Sequence, residues 1–312
     1  MPTLRDFIQK INIRAELAYD EPMSLHTSFK IGGPAEALIR PEDATAAAAL
    51  LAAARAEGIP LFVLGGGANI LVGDKGIPGI VMDTARIAAA RIEEDGPGGA
   101  ELLVAGAGMS MDALCLEALS KGLGGLEDFA GMPGSVGGAV FMNARCYERE
   151  MSQVLAWVSS AGPARRPVEA ALWSYKRSPY QEFGSAAGEL ILEASFRLAP
   201  ADDAGVARIA RVMRERRADR EAKGHYRLPS AGSVFKNDRS LGAPTGKLLD
   251  GLGLRGRRIG DAMVSPWHAN IFVNAGRATA ADMRELIELA QAEARAKLGI
   301  ELESEVLMVG EF

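Results

Sequence analysis

The run Leu61-Phe62-Val63-Leu64 is a strand-length apolar stretch that opens directly into Gly65-Gly66-Gly67-Ala68-Asn69. A second segment, Gly131-Met132-Pro133-Gly134-Ser135-Val136-Gly137-Gly138-Ala139, carries four glycines and a proline in nine residues. Glycine loses more backbone freedom on folding than any other residue, so crowding it this way lowers stability. Stability alone is therefore a weak rationale for the second segment. What glycine allows is close approach of the backbone to a ligand, with successive N–H groups aimed at an anion. The second segment reads as a backbone cradle for a diphosphate, whereas Gly65–Gly67 taken alone is equally well a tight turn. Neither is a G-x-G-x-x-G fingerprint. After Gly65 and Gly67 the third place is Ile70, and after Gly106 and Gly108 it is Met111, which disfavours a Rossmann nicotinamide domain.

Charge sharpens this reading. The 312 residues hold 35 Lys+Arg against 40 Asp+Glu, a formal net charge of −5. Nucleic acid is disfavoured as a partner because non-specific binding needs a basic field. An acidic chain must hold an anion locally, with N–H groups and helix ends. Cys115 and Cys146 are the two cysteines, and His26, His225 and His268 lie far apart, so neither a disulfide framework nor a metal site is expected. The first residues carry no basic stretch followed by an apolar run, and apolar stretches elsewhere break well before the ~18 residues of a membrane span. A cytoplasmic protein with no membrane partner is the expectation.

Along the chain, strands are expected at Glu36–Arg40, Leu61–Leu64, Gly79–Asp83, Leu102–Ala105, Val154–Ser160 and Leu190–Leu198. Asp43 as N-cap and Gly58 as stop frame a helix over 44–56, and a second helix runs over 111–121. Ala199-Pro200-Ala201-Asp202-Asp203 reads as a linker into a basic helix, Val206–Lys223. Thr279 with Asp282 signals a helix through Leu298, with Met283, Leu286, Ile287, Ala290 and Ala294 on one face and Gly299 at its end. Ile300–Val309 alternates like a strand. Strands alternating with helices argue an α/β or α+β chain of several layers.

Two further segments say little alone. Pro229-Ser230-Ala231-Gly232-Ser233-Val234-Phe235-Lys236-Asn237 is a polar turn entering a strand, without the G-x-S-x-G elbow of a hydrolase. Glu305, in Glu303-Ser304-Glu305-Val306, is by itself a solvated strand carboxylate.

In this order, however, the segments resemble the UDP-N-acetylenolpyruvoylglucosamine reductases, the MurB family. The matching stretches are His26–Gly33, Leu64–Leu71, Gly131–Ala139 with Met142-Asn143-Ala144, Tyr175–Ser178, Ser230–Asn237, His268-Ala269-Asn270 with Val273-Asn274, and Leu302–Val306. The resemblance implies an α+β fold of three domains. Residues 1–72 with 300–312, and 73–198, would be FAD-binding domains of the vanillyl-alcohol-oxidase and p-cresol-methylhydroxylase type. Residues 199–299 would be an α/β substrate domain. It implies non-covalent FAD held by Gly65–Asn69 and by Gly131, Met132, Pro133, Gly134, Ser135, Gly137, Gly138 and Ala139, with NADPH as reductant. The substrate would be a UDP-sugar whose enolpyruvyl ether is reduced in peptidoglycan precursor synthesis, by a monomer. Ser233 matches the proton donor and Glu305 the glutamate beside the substrate carboxylate; Tyr175, Ser178, Lys236 and Asn237 fall at substrate-binding positions.

One position departs from the pattern. Where the family has Tyr-Arg-x-Ser, this chain has Tyr175-Lys176-Arg177-Ser178. Lysine keeps the charge and loses the bidentate fork. On a strand the two cations would face opposite sides, and the ungapped match favours Lys176 over Arg177. Spacing identifies the shorter type of member, without the long tyrosine loop; Tyr226 is the nearest substitute. Cys115 is expected in a helix core, and His268 as a hydrogen-bonding residue. Another FAD-linked oxidase or dehydrogenase would share the flavin domains without needing Ser233 and Glu305. A non-catalytic nucleotide-sugar-binding protein is the other alternative, and bleaching of the flavin by NADPH would remove it.

Overall fold

The computed structural model describes residues 3–95, 99–161, 165–182 and 189–312. The chain divides into two compact units. The first comprises Met1–Tyr19, Ala37–Gly66 and Gly79–Arg217, and the second Asp20–Glu36, Gly67–Pro78 and Ala218–Phe312.

A four-stranded sheet runs in the order Ala15–Pro22, Pro34–Pro41, Ile77–Asp83, Leu61–Leu64. The last two strands are parallel, with Leu61 opposite Ile80 and Leu64 opposite Asp83. Helix Ala44–Ala56 forms because the Asp43 carboxylate caps it, accepting the Ala46 N–H at 2.8 Å. It buries Ala47, Leu50 and Ala54 in a core with Phe7, Ile39, Ile80 and Met82. Leu50 is fully buried, so truncation to alanine would cost about 2–5 kcal/mol. The second sheet of this unit is antiparallel, in the order Arg166–Pro167, Leu155–Ser160, Ile191–Arg197, Glu101–Gly106, Ala90–Glu94. Helices Met111–Ser120 and Val136–Phe141 join Leu103, Ala105, Ala194 and Phe196 in one core, and Ile209 and Met213 of helix Asp203–Ala222 pack into it. Cys115 lies there, buried as expected of a small apolar side chain.

In the second unit, helix Ala280–Leu298 opens on a capping box between Thr279 and Asp282 and closes on Gly299 at φ 68°. Its apolar face, Met283, Leu286, Ile287, Ala290 and Ala294, is the one the sequence marks, and all five residues are buried. They pack with Val234, Phe235, Val264 and Phe272, the two phenylalanine rings meeting edge to face at 5.9 Å. The strands Arg258–Ile259, Ala262–Val264 and Phe272–Asn274 form an antiparallel sheet beside this helix.

Two expectations need correction. The closing strand is Leu307–Val309 only, parallel to Ile70–Val72. Residues before it bond across a different line, Glu305 N–H to the Val234 carbonyl and Ser304 Oγ to the Val306 carbonyl, which ends regular pairing there. The segment Tyr175–Ser178 is not a strand either. Ser174 and Arg177 exchange backbone bonds, Ser174 N–H to Arg177 O at 3.2 Å and Arg177 N–H to Ser174 O at 2.9 Å, so Tyr175 and Lys176 form the tip of a tight turn.

Candidate active site

The two glycine clusters meet in the first unit. A Cβ on Gly66 would lie 2.6 Å from Gly134 Cα, and one on Gly65 would lie 2.5 Å from Ser135 Oγ. Glycine at 65 and 66 is thus a condition for two loop backbones to touch. The Ser135 hydroxyl joins them, accepting from Gly66 N–H and Gly138 N–H, each at 3.3 Å. Gly137 is small for another reason, since its Cβ would lie 2.9 Å from that of Ala107.

An anion cradle needs N–H groups the protein leaves unused. In the second cluster Gly131 N–H goes to Asp112 Oδ1, and Met132 N–H to Phe129 O. Val136 N–H bonds to Met109 O, Gly137 N–H to Ala107 O, and Ala139 N–H to Ser135 O. The donors that no described residue engages are those of Gly134 and Ser135, beside that of Gly65. Gly67, Ala68 and Asn69, in the second unit, likewise donate no N–H to a described residue. The unengaged N–H groups are therefore fewer than the sequence suggests, and of the second cluster's glycines Gly137 is the one that close packing requires, while Gly131 and Gly134 sit at positive φ. Met132 Sδ sits 3.4 Å from Cys146 Sγ, and Pro133 is exposed. Asn69 spends its side-chain amide on the Glu305 carbonyl at 2.9 Å.

Lys176 crowns the tight turn at φ 58°, a left-handed conformation uncommon for a residue with a side chain. The turn is held from behind. Asn143 Nδ2 donates to Ser174 O at 2.8 Å and Gln181 Nε2 to Lys176 O at 2.9 Å. Ser178 is buried and donates its hydroxyl to Phe141 O at 2.6 Å, which makes it an anchor of this turn. The Arg145 guanidinium lies 5.4 Å from the Tyr175 ring centre. Lys176 is half-buried while Arg177 is exposed. A turn removes the opposite-faces argument of a strand, and strained backbone at Lys176 replaces it as the feature that singles this residue out.

In the second unit, Ser233, Lys236 and Glu305 come together through main-chain pairing. Glu305 N–H donates to Val234 O at 2.7 Å, Lys236 N–H to Glu303 O at 2.9 Å, and Ser233 pairs with Ile271. Lys236 Nζ pairs with Glu303 Oε1 at 2.6 Å. Asn237 Oδ1 accepts the Thr245 N–H at 2.9 Å, at the start of helix Thr245–Gly251. His268 is a hydrogen-bonding residue, its Nδ1 accepting the Asn270 N–H at 3.2 Å. Burial, then Lys223 and Arg255, hold its pKa below the usual imidazole value, so the ring keeps that lone pair. His225 is pushed down to about 4, first by burial and then by Arg220, His268 and Lys223.

Asn143, Gln181 and Asn270 were not singled out as candidates. Asn143 and Asn270 adjoin apolar runs, Phe141-Met142 and Ile271-Phe272-Val273, where a buried amide must find partners, whereas Gln181, between Tyr180 and Glu182, carries no such signal.

A match to an FAD binding domain over residues 35–160 places the chain among FAD-binding proteins. A second family model, the UDP-N-acetylenolpyruvoylglucosamine reductase C-terminal domain, matches residues 224–309. UDP-N-acetylenolpyruvoylglucosamine reductases resemble the chain along nearly its whole length. That of Treponema denticola is 39% identical, covering 95% of this chain and 94% of its own. That of Rubrobacter xylanophilus is 40% identical, covering 94% and 95%. The crystal structure of the Thermus caldophilus enzyme superposes with a TM-score of 0.75 at 32% identity, covering 95% of this chain and 99% of that one. The chain belongs to the UDP-N-acetylenolpyruvoylglucosamine reductase family.

Proposed function

We propose that this protein reduces the enolpyruvyl ether of UDP-N-acetylglucosamine enolpyruvate to UDP-N-acetylmuramate, with FAD as cofactor and NADPH as reductant, in peptidoglycan precursor synthesis. The observation that carries the reading is the short line from Ser233 to Glu305: Val234, the residue next to Ser233, accepts the Glu305 N–H at 2.7 Å. The residues fit the cofactor. Within the first unit, the unengaged N–H groups of Gly65, Gly134 and Ser135 are donors of the kind a diphosphate needs. When bound, FAD supplies hydride transfer from the nicotinamide to the enol ether. The protein's part is charge and one proton. Ser233 delivers the proton to C2 of the enolpyruvyl group; a hydroxyl is a poor acid in water, so position against a strongly basic carbon must compensate. Glu305 and the Lys176 ammonium stabilise the charge that develops on the carboxylate side.

The domain reading proposed with it gives residues 1–72 with 300–312, and 73–198, to the flavin, and 199–299 to the UDP-sugar. The protein would act as a cytoplasmic monomer in wall synthesis during growth and division. Among the described residues no helix is long and apolar enough to cross a membrane. The test is anaerobic. NADPH should bleach the purified yellow protein, and the enolpyruvyl UDP-sugar should restore the oxidised spectrum. A reduced flavin that molecular oxygen reoxidises but the enolpyruvyl UDP-sugar does not would contradict the proposal and favour an oxidase of the same flavin class.

A further inference from the structure

The backbone of Phe235 is paired on one side by a side chain where a β-strand would normally stand. Asn270 Oδ1 accepts the Phe235 N–H at 3.0 Å, and Asn270 Nδ2 donates to the Phe235 carbonyl at 2.8 Å. The Asn270 carbonyl accepts the Val234 N–H at 2.8 Å. The chain at 268–271 cannot offer those bonds from its main chain, because it folds into a turn there, with Ile271 N–H on His268 O at 3.0 Å. The amide of Asn270 has the donor and acceptor of a peptide group and stands in for the missing strand residue. It is 1% exposed, and its own N–H is held by His268 Nδ1. On the other side of Val234, Glu305 N–H bonds to the Val234 carbonyl, while the Glu305 carbonyl is fixed by Asn69 Nδ2.

We propose that Asn270 is a positioning residue: its side-chain amide sets the register of the Ser233-bearing segment against Glu305. It would touch neither substrate nor cofactor. Without it, both polar groups of the Phe235 backbone lose their partner in a buried setting, and the Ser233 segment is held in register only by the main-chain bonds of Val234 and Lys236. The inference rests on the function proposed above, in which Ser233 delivers the proton. Displacing a reacting group by an ångström costs on the order of 100-fold in rate.

The test compares the FAD-loaded wild type with Asn270→Ala and with Asn270→Asp, which keeps an acceptor for the Phe235 N–H. Reduction by NADPH should stay within about threefold of wild type, while reoxidation by saturating enolpyruvyl UDP-sugar slows by about 10- to 100-fold. Hydrogen exchange supplies a readout independent of turnover. In the wild type the amides of Val234, Phe235 and Glu305 should be protected together. In Asn270→Ala they should lose protection by at least about tenfold, with the amides of Leu286 and Ile287 unchanged. Equal loss in both half-reactions, or unchanged exchange at Phe235 and Glu305, would overturn the proposal. Should neither variant fold, an unprotected Phe235 amide in the wild type would overturn it and a protected one would support it. Wild-type protein that the enolpyruvyl UDP-sugar fails to reoxidise would instead sink the function, and the exchange data would still judge the register claim.

Discussion

Replacing Gly66 by alanine adds one carbon where two loops touch. That Cβ would lie 2.6 Å from Gly134 Cα, 2.9 Å from the Gly134 carbonyl carbon and 3.0 Å from Ser135 N. Carbon atoms settle about 3.5–4.0 Å apart, so the loops must separate by roughly 1 Å. The obstacle is backbone on the far side, which cannot rotate away as a flexible side chain would. Overpacking of this kind costs about 1–3 kcal/mol. Separation also stretches the Gly66 N–H bond to Ser135 Oγ, already 3.3 Å, adding about 1 kcal/mol. At about 2–4 °C per kcal/mol for a unit of 150–250 residues, the melting temperature should fall by roughly 5–15 °C. Because Gly65, Gly134 and Ser135 carry the unengaged N–H groups, the flavin bound per folded chain should fall too. Gly138→Ala is the control: its Cβ meets Ser135 Oγ at an ordinary 3.5 Å, so removing glycine from the helix should be neutral or stabilise by up to about 1 kcal/mol. Thermal unfolding and flavin absorbance on both variants decide the matter. Wild-type melting and full flavin in Gly66→Ala, or equal damage in Gly138→Ala, would refute the reasoning. Gly137 is the poorer probe, because valine there strikes Ala107 first.

Lys176→Ala should slow substrate-dependent flavin reoxidation by roughly 10²–10³-fold, the effect of losing one oxyanion donor, while Arg177→Ala stays within a few-fold; stopped-flow reoxidation gives the ranking, and the reverse order would move the role to Arg177. Lys176→Gly relieves the left-handed φ of 58°, whose cost for a residue with a side chain is about 1–2 kcal/mol, so it should melt no lower than Lys176→Ala while being as slow. Acid should destabilise the fold through two histidines whose folded pKa values lie below the unfolded 6.5. The folded state favours their neutral forms, so this stability is complete above about pH 6.5 and is lost as pH falls toward about 4, by up to roughly 3 kcal/mol for His225. Melting temperatures measured from pH 7.5 to 4.5 should drop, and less steeply in His225→Gln; equal slopes in the two proteins would contradict this.

The helices with strong local signals lie where the sequence puts them. Asp43 caps Ala44–Ala56, and Thr279 with Asp282 opens Ala280–Leu298, because capping and apolar spacing act within one or two turns of chain. The Tyr175–Ser178 turn was illegible for the opposite reason. Its tip is a lysine in a conformation that usually selects glycine, imposed by Asn143 and Gln181 acting from outside the turn. Ser233 and Glu305 gave only weak signals as residues, and their relation depends on a non-local pairing through Val234 that no window of sequence contains. The glycine clusters were legible as a close approach of backbone. Which of their N–H groups remain for an anion depended on Met109, Ala107 and Asp112, three partners with no local signature.

The central claim is that Ser233 supplies the proton and takes no part in accepting the hydride. The most direct measurement is anaerobic stopped flow on Ser233→Ala, with the two half-reactions followed separately at the flavin absorbance. Reduction by NADPH should proceed at nearly the wild-type rate, and reoxidation by the enolpyruvyl UDP-sugar should fall by roughly 10²–10⁴-fold. Equal losses in both half-reactions, or undiminished reoxidation, would contradict the account.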